Sequence, residues 1–512
     1  MRSLNSLKNI GTSIGTTIIL AALGFFTRKI FVDSLGEEYL GLNGLLLNII
    51  GMLSLVEGGI GTSIVYNLYK PLAEHNEPKI IALVQLYRRI YRYIALGVFL
   101  LSLCIYPFLD VLIKDGDNLS YVSIVYFIFV FNNLIGYLMA DKWSLINSDQ
   151  KQYKLAGYNL AYQIGLNLVK IAILYYFKNY ILFLAVEFIF TLGYNILVIR
   201  KVNKLYPYVN TKTKYPIDQA TKQNIITNVK ALFLYSIGGY LLHSTDNIII
   251  SAYVGIGIVG FYSNYTLIVG QLKSLTKPIF AGVKDSVGNL VASEGEDKQH
   301  TIFNVLYMIN FCLVSFVVVL IYNTINPFIS WWLGVEYLLP QYIVAIICIN
   351  YFVDEIRSSI MTFKTVSGIF DADKYVVLLT AVINLIISLT LVHTLGLAGV
   401  LLGTSISMLL TASWNWPRLV YKYTFKRSPK IYYIKYIIFA IVTVGLCLFT
   451  TYINDLFFVC DGRYNFVTIL MRGIICTLIS FAIYLLMFAK TPSFRYLITL
   501  ANSLYNNFKA AH

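Results

Sequence analysis

A few charged side chains stand inside long apolar stretches, and chemistry is expected at these positions. Arg28 and Lys29 lie in LGFFTRKIF, and Glu57 sits among glycines in SLVEGGIG. Lys170 and Glu187 occupy two consecutive apolar runs. Asp246 and Asn247 interrupt another run in HSTDN, and Asp354, Glu355 and Arg357 stand together in NYFVDEIRSS. A charge in hydrocarbon costs at least about 2.5–3.5 kcal/mol, so each such group is expected to face a cavity or a partner. In a wet cavity, cations can hold an anion, and a carboxylate can carry a proton or take part in a gate.

Length and depth sort these residues. Lys29 is long enough to reach the headgroups from its place near a helix end. Arg28 has Gly24 and Thr27 beside it, so its surroundings are polar and open, and it is a cavity candidate. Asp246 is too short to reach the headgroups and is expected to line a cavity with Asn247. Glu57 and the group Asp354, Glu355 and Arg357 fall at similar depth. Two readings stay open for them: ion pairs that close the cytoplasmic side, or a gate and a proton-coupling carboxylate. Lys170 and Glu187 belong to one hairpin, so either they pair or Lys170 meets a substrate.

The elements that position these groups follow from composition. Of 512 residues, 58% are hydrophobic and only 13% charged, where a soluble protein has about 25%. Apolar runs of about 20 residues, each long enough to span a bilayer, recur along the chain. The fold class expected is an all-α polytopic membrane protein with about fourteen transmembrane helices. These form two pseudo-symmetric seven-helix lobes around a central cavity. The net charge of +15 does not mark a nucleic-acid binder, because the basic residues fall in alternate loops, as the positive-inside rule requires. Arg2 and Lys8 place the N-terminus in the cytoplasm, and Met1 to Phe31 reads as a retained helix rather than a signal peptide.

Expected helices cover Ile10–Phe31, Tyr39–Tyr66, Ile94–Ile113, Tyr121–Met139, Leu155–Phe177 and Tyr180–Val198 in the N-terminal lobe, residues 1–199. Ile80–Tyr93 is expected to lie along the interface. A polar cytoplasmic linker, 200–225, carries Pro207 and Pro216. The C-terminal core, 226–430, holds helices over Ile226–Tyr253, Gly255–Leu275, Ile302–Ser330, Gln341–Phe363, Val376–Val392 and Leu397–Trp416. Two more, Tyr432–Thr451 and Val467–Phe488, fill 431–489, and 490–512 is a cytoplasmic tail. By this layout only Lys114, Lys178 and Arg463 sit clearly in outer loops.

The lobes read as a duplication. Gly36, Gly41 and Gly51 fall opposite Gly255, Gly260 and Gly270 at one constant spacing, which also sets Thr27 and Arg28 opposite Asp246 and Asn247. Asp149-Gln-Lys-Gln-Tyr153 echoes Asp371-Ala-Asp-Lys-Tyr375. Paired halves of this kind are a familiar plan in secondary transporters. Other chemistries find little support. There is no GxxxxGK[ST] loop and no His/Cys cluster with metal spacing, so no cofactor, metal or enzymatic activity is expected. Asp371-Ala-Asp373 has the DxD form of a metal–nucleotide-sugar site but no catalytic domain around it. Five cysteines lie in apolar runs as small core residues, and Cys460 sits in a loop.

The run LGEEYLGLNGLLLNI, followed by SLVEGGIGTSIVYNLYKPLAE, resembles the Wzx-type polysaccharide (O-antigen or capsule) flippases. These belong to the multidrug/oligosaccharidyl-lipid/polysaccharide exporter superfamily. The resemblance implies alternating access by two lobes in the bacterial cytoplasmic (inner) membrane, with both termini cytoplasmic. The implied substrate is an undecaprenyl-diphosphate-linked oligosaccharide, moved from the cytoplasmic to the outer leaflet for surface polysaccharide biosynthesis. Other implied partners are membrane lipid, H+ or Na+ from an ion gradient, and polysaccharide polymerase machinery. A monomer is expected, because the cavity lies within one chain. The lipid II flippases of that superfamily carry a cavity arginine on the first helix, which Arg28 matches. Their Ala-Glu-Gly motif resembles Val56-Glu57-Gly58. They also carry an acid early in the second helix, where this chain has Asn43, a departure that argues against lipid II itself.

A diphosphate in a membrane needs cationic or hydrogen-bonding partners, which Arg28, Lys170 and Arg357 can supply. Two other functions compete. A cation-coupled drug exporter of the same superfamily needs net acidic walls, against Arg28 and Lys170. A membrane polysaccharide polymerase or ligase needs a large outer loop with catalytic residues, and the outer loops here are short.

Overall fold

The computed structural model describes residues 20–115, 119, 121–149, 151, 153–369, 371–373, 375–458 and 464–499. Several sequence expectations lie outside these residues: Arg2, Lys8, Ile10 to Ile19, Gln150, Gln152, Lys374, Cys460, Arg463 and the end of the tail. The side chains of His243 and Asp371 are outside them too.

Every regular element among the described residues is helical. Eight helices are long and apolar enough to cross a membrane, or nine if the bent pair Val122–Leu138 and Ala140–Ser148 counts as one span. The chain is a multi-pass membrane protein. Several of the other crossings expected from sequence fall on helices that are broken or polar. Tyr153–Tyr176, for example, carries Asn159, Gln163, Asn167 and Lys170. The chain divides into two compact units, Met1–Gly260 and Phe261–His512, and the helix Ile256–Ser293 runs through the division.

In the first unit, Gly36 (φ 86°) turns the chain from helix α1, over 20–35, into α2, Glu37–Leu53. The two acids that open α2 favour a helix N-terminus. The single helix expected over Tyr39–Tyr66 is instead broken. A 3-10 turn covers Ser54–Glu57, Gly58 and Gly59 are left-handed (φ 53° and 77°), and α3 restarts at Ile60 and runs to Ala73. Only glycine takes two such residues in succession at little cost. The segment Ile80–Tyr93 is not a separate surface helix. It is the first half of one helix, α4, Glu77–Ile105, started by the Asn76 cap on Lys79. Gly97, just past the point where the amphipathic half gives way to the apolar half, lies inside the continuous helix and does not break it.

The chain continues through α5 (Val122–Leu138), α6 (Ala140–Ser148), α7 (Tyr153–Tyr176) and α8 (Tyr180–Leu205). Residues after α8 are tied back to α4: Gln85 Nε2 donates to the Thr213 carbonyl at 2.8 Å, and Lys79 meets Asp218 at 3.0 Å. Asp218 caps α9, Gln219–His243, through the Thr221 amide. The helix expected over Ile226–Tyr253 breaks at Ser244–Thr245, and Asp246 opens a short helix, α10, to Tyr253. There its charge faces the positive end of the helix dipole.

The glycines that recur at one spacing in the sequence meet inside this unit. A Cβ at Gly41 would strike the Ile256 carbonyl, and a Cβ at Gly260 would strike the Glu37 carbonyl. Glu37 and Ile256 are themselves opposite one another at the repeat spacing. Equivalent positions therefore meet reciprocally, as in an isologous interface.

The second unit is built around α12, Glu296–Trp332, which follows α11, Ile256–Ser293. Phe311 stacks on Phe439 with centroids 3.9 Å apart, and Tyr307 on Tyr432 at 4.8 Å. Offset and edge contacts of this kind continue through Phe303, Phe363 and Phe425. The helix expected over Gln341–Phe363 is also broken, at Ile356–Arg357. It gives α13, Gln341–Glu355, and α14, Ser358–Val366. Helices over Val376–Leu395, Leu397–Leu410 and Ala412–Val420 follow, and Lys430–Phe457 and Phe466–Phe488 close the described chain.

Candidate functional site

Two of the residues singled out in the sequence, Asn43 and Lys170, are linked in the first unit through the rings of Tyr180 and Phe183. Phe31, on the same face of α1 as Thr27, packs edge-on against Tyr180 (5.7 Å) and Phe183 (5.3 Å) of α8. Tyr180 also lies against the Tyr39 ring of α2 at 5.0 Å, and its hydroxyl donates to Asn43 Oδ1 at 3.4 Å. Lys170 stands over the Phe183 ring at 4.3 Å and pairs with Glu187 at 2.6 Å. The hairpin pairing open in the sequence is therefore made. One turn before Lys170, Asn167 Oδ1 lies 3.1 Å from the Thr27 hydroxyl. Thr27 adjoins Arg28. Helix α1 through Thr27, α2 through Asn43 and the α7–α8 hairpin through Asn167, Lys170 and Tyr180 thus share one polar seam. Tyr180 and Asn167 hold it together and were not picked out by sequence reading.

Asn247, next to Asp246, reaches α2 within the same unit. A Cβ on Gly44, next to Asn43, would lie 3.9 Å from Asn247 Nδ2. Asn247 Oδ1 is buried without a hydrogen-bond partner among the described residues. That oxygen can accept from water or from a hydroxyl-bearing ligand. Asp246 is 8% exposed.

Glu57 has different surroundings. The Tyr91 hydroxyl donates to Glu57 Oε1, and Tyr87 stacks on Tyr91 at 4.3 Å with planes 7° apart. The three oxygens converge on Gly61. A Cβ there would lie 2.7 Å from Glu57 Oε1 and 2.9 Å from the Tyr87 hydroxyl, and would strike the Tyr91 hydroxyl. Tyr137, 5.9 Å from Tyr91, completes a phenolic wall. Among the described residues no lysine or arginine forms an ion pair with Glu57. The turn at Gly58–Gly59 presents its carboxylate to α4, and Phe233 of α9 lies against Gly58 where a Cβ would clash.

In the second unit the acidic pair is fully compensated. Lys273 of α11 binds Asp354 at 2.7 Å and Glu355 at 3.2 Å, and Arg357 binds Asp354 at 3.0 Å. Two cations and two carboxylates cancel. Arg357 also donates to the Val353 carbonyl and lies 4.9 Å from the Trp416 ring. The other face of this neighbourhood holds Lys364, 5.0 Å from Trp416, in an ion pair with Asp373 in which both side chains are only 4% exposed. Asp373 of the DxD sequence is thus taken up by a buried structural pair. Lys273 was missed because the sequence ends its helix at Leu275, which sets Lys273 at the boundary, whereas the structure continues the helix to Ser293. Among the described residues no group of His, Cys, Asp and Glu is arranged to hold a metal ion.

No family model matches the sequence, and no curated protein matches it. Solved structures do share the fold. "Lipid II flippase MurJ, inward closed conformation" superposes with a TM-score of 0.65 at 18% identity, over 94% of this chain and all (100%) of that one. An inward-facing multidrug resistance MATE family transporter of the MOP superfamily gives 0.54 at 14% identity, over 80% of this chain and 96% of that one. A MOP superfamily transporter from Pyrococcus furiosus, described as having a binding pocket of reversed polarity, gives 0.50 at 12% identity, over 81% and 94%.

Proposed function

We propose that this protein is a flippase of the MOP superfamily fold. In this reading it moves an undecaprenyl-diphosphate-linked oligosaccharide from the cytoplasmic to the outer leaflet of the bacterial inner membrane. The observation that carries the reading is the polar seam of Thr27, Asn43 and Lys170, joined through Asn167, Tyr180 and Phe183, with Arg28 next to Thr27 on α1. The fold shared with a lipid II flippase supports it.

Each part of the substrate has chemistry to meet it. The diphosphate is assigned to Arg28, whose planar guanidinium suits bidentate contact with phosphate oxygens. Lys170 is bound to Glu187, so a phosphate meeting it competes with that carboxylate. The amides of Asn43 and Asn247 and the Tyr180 ring suit sugar hydroxyls and sugar faces. The polyprenyl chain stays in lipid, since apolar tails gain nothing by entering a polar seam. Glu57, held by hydroxyls rather than cations, is assigned the coupling step, as a carboxylate that gains and loses a proton. Asp354, Glu355, Arg357 and Lys273 are assigned to holding the second unit's break closed.

The test follows the leaflet on which the lipid-linked oligosaccharide accumulates in cells depleted of the protein. A membrane-impermeant glycan probe is applied to intact and inverted vesicles. Accumulation on the cytoplasmic leaflet, rescued by the wild type but not by Arg28→Ala, is the expected result. Accumulation on the outer leaflet would place the protein after flipping, with polymerisation or ligation. A drug exporter of the same fold would leave the distribution unchanged.

A further inference from the structure

We infer that the end of the α7–α8 hairpin holds a site for an anionic phospholipid, separate from the polar seam and independent of the transport reading. A recess of about 210 Å³ opens where α8 passes from its apolar span into its basic end. Its floor is Leu155, Leu197 and Val198, and its rim is Tyr158, Arg200, Lys201 and Lys204. Lys201 lies 5.3 Å from the Tyr158 ring centroid, with its Nζ 3.5 Å from the Tyr158 hydroxyl.

Three features point to a lipid rather than to bare basic surface. The first is charge left available. The acids on the adjoining elements are taken, Asp141 by Arg88, Asp149 by Lys151 and Glu187 by Lys170. Among the described residues no ion pair joins Arg200, Lys201 or Lys204. The second is shape. Leu155 and Val198 are buried at 3% and 2% exposure, while Leu197 is 50% exposed, so the apolar floor continues onto the membrane-facing side of the hairpin. A glycerol and the first methylenes of its chains fit that continuity, and a free phosphate does not need it. The third is composition. Tyr158, 47% exposed, shares the recess with three basic residues at the end of an apolar span, the company tyrosine keeps at the membrane–water boundary. Basic residues at such a boundary attract anionic headgroups by about 1 kcal/mol each.

The experiment uses the full-length protein, reconstituted in phosphatidylcholine doped with phosphatidylglycerol and then exchanged into neutral detergent. Lipid that stays bound is counted by mass spectrometry of the intact protein. Wild type is expected to retain phosphatidylglycerol in preference to phosphatidylcholine. The triple variant Arg200→Gln/Lys201→Gln/Lys204→Gln is expected to retain it at least about tenfold less. Lys212→Gln/Lys214→Gln/Lys222→Gln removes the same charge from the segment beyond the recess and is expected to behave as wild type. Equal loss in both triples would overturn the site in favour of diffuse attraction, and equal retention in both would overturn it outright. Lys201→Gln alone, which is less disruptive to folding, is expected to lose a few-fold. A second arm needs no variant: excess inorganic phosphate is expected to leave the bound lipid in place. Displacement by phosphate would assign the recess to a free anion instead.

Discussion

Glu57 in the first unit and Asp354–Glu355 in the second both sit where an apolar helix breaks, yet they are held in opposite ways. The second-unit acids lie between Lys273 and Arg357, and the four charges cancel. Glu57 meets phenol hydroxyls and the open face of Gly61. A carboxylate locked between cations stays ionised and holds its neighbours in register, and removing a partner strands a charge. A carboxylate held by hydroxyls keeps hydrogen bonds in either protonation state, because a hydroxyl both donates and accepts. The first arrangement suits a fastener and the second a group that changes state during work.

The largest effect is expected at the most buried pair of the compensated side. Lys364→Met leaves Asp373 ionised in a dry pocket and should lower stability by about 3–5 kcal/mol, read by chemical unfolding of the purified protein in detergent. Recovery in Lys364→Met/Asp373→Leu would identify the loss as stranded charge. No recovery would mean that packing around Trp416 matters more.

Next comes Gly61→Ala. The added methyl meets three oxygens at once and should cost about 1–3 kcal/mol by overpacking, together with most of the transport. Unchanged transport would show that the phenol–carboxylate cluster is not used. Lys273→Met should cost about 1–2 kcal/mol, less than a fully buried pair because its side chain and that of Asp354 are each 25% exposed. A full loss of transport with no loss of stability would reverse the roles assigned to the two units.

Glu57→Gln should change stability least, by under about 1 kcal/mol, since the amide still accepts from Tyr91. It should flatten the dependence of flipping on pH, measured with a glycan-exposure assay in vesicles under imposed gradients. A variant with the wild-type pH profile would remove Glu57 from the coupling step. The groups facing it in that assay are Tyr87, Tyr91 and Tyr137.

Much of this comparison was legible before any coordinates. The charges were conspicuous because each stands in an apolar run, and the pairings Lys170–Glu187 and Asp354–Arg357 join residues that helix periodicity or hairpin depth already brings near. The breaks were harder to see. Gly58 and Gly59 suggested close helix packing, and only their left-handed torsions reveal that the helix stops there. Ile356 gives no compositional signal for the break beside it, whereas Ser244-Thr245-Asp246-Asn247 carries a cap and turn signal inside what reads as one span. Tyr91 and Tyr180 were hidden by abundance: 41 tyrosines make any one of them uninformative until its neighbours are known. Lys273 was hidden by a helix end placed too early.

The reciprocal approach of Gly41 and Gly260 has a consequence for how such a chain can diverge. In a chain whose halves descend from one duplicated segment, as the repeat spacing here suggests, the two copies are free to drift apart over most of their length and leave only scattered echoes. Where equivalent residues press against one another, each copy becomes the other's mould. A methyl added at either glycine meets a main-chain carbonyl, and no side-chain change in the opposite copy can make room for it. Variation is barred there on both sides at once, so the oldest trace of the ancestral half should persist in its two smallest residues.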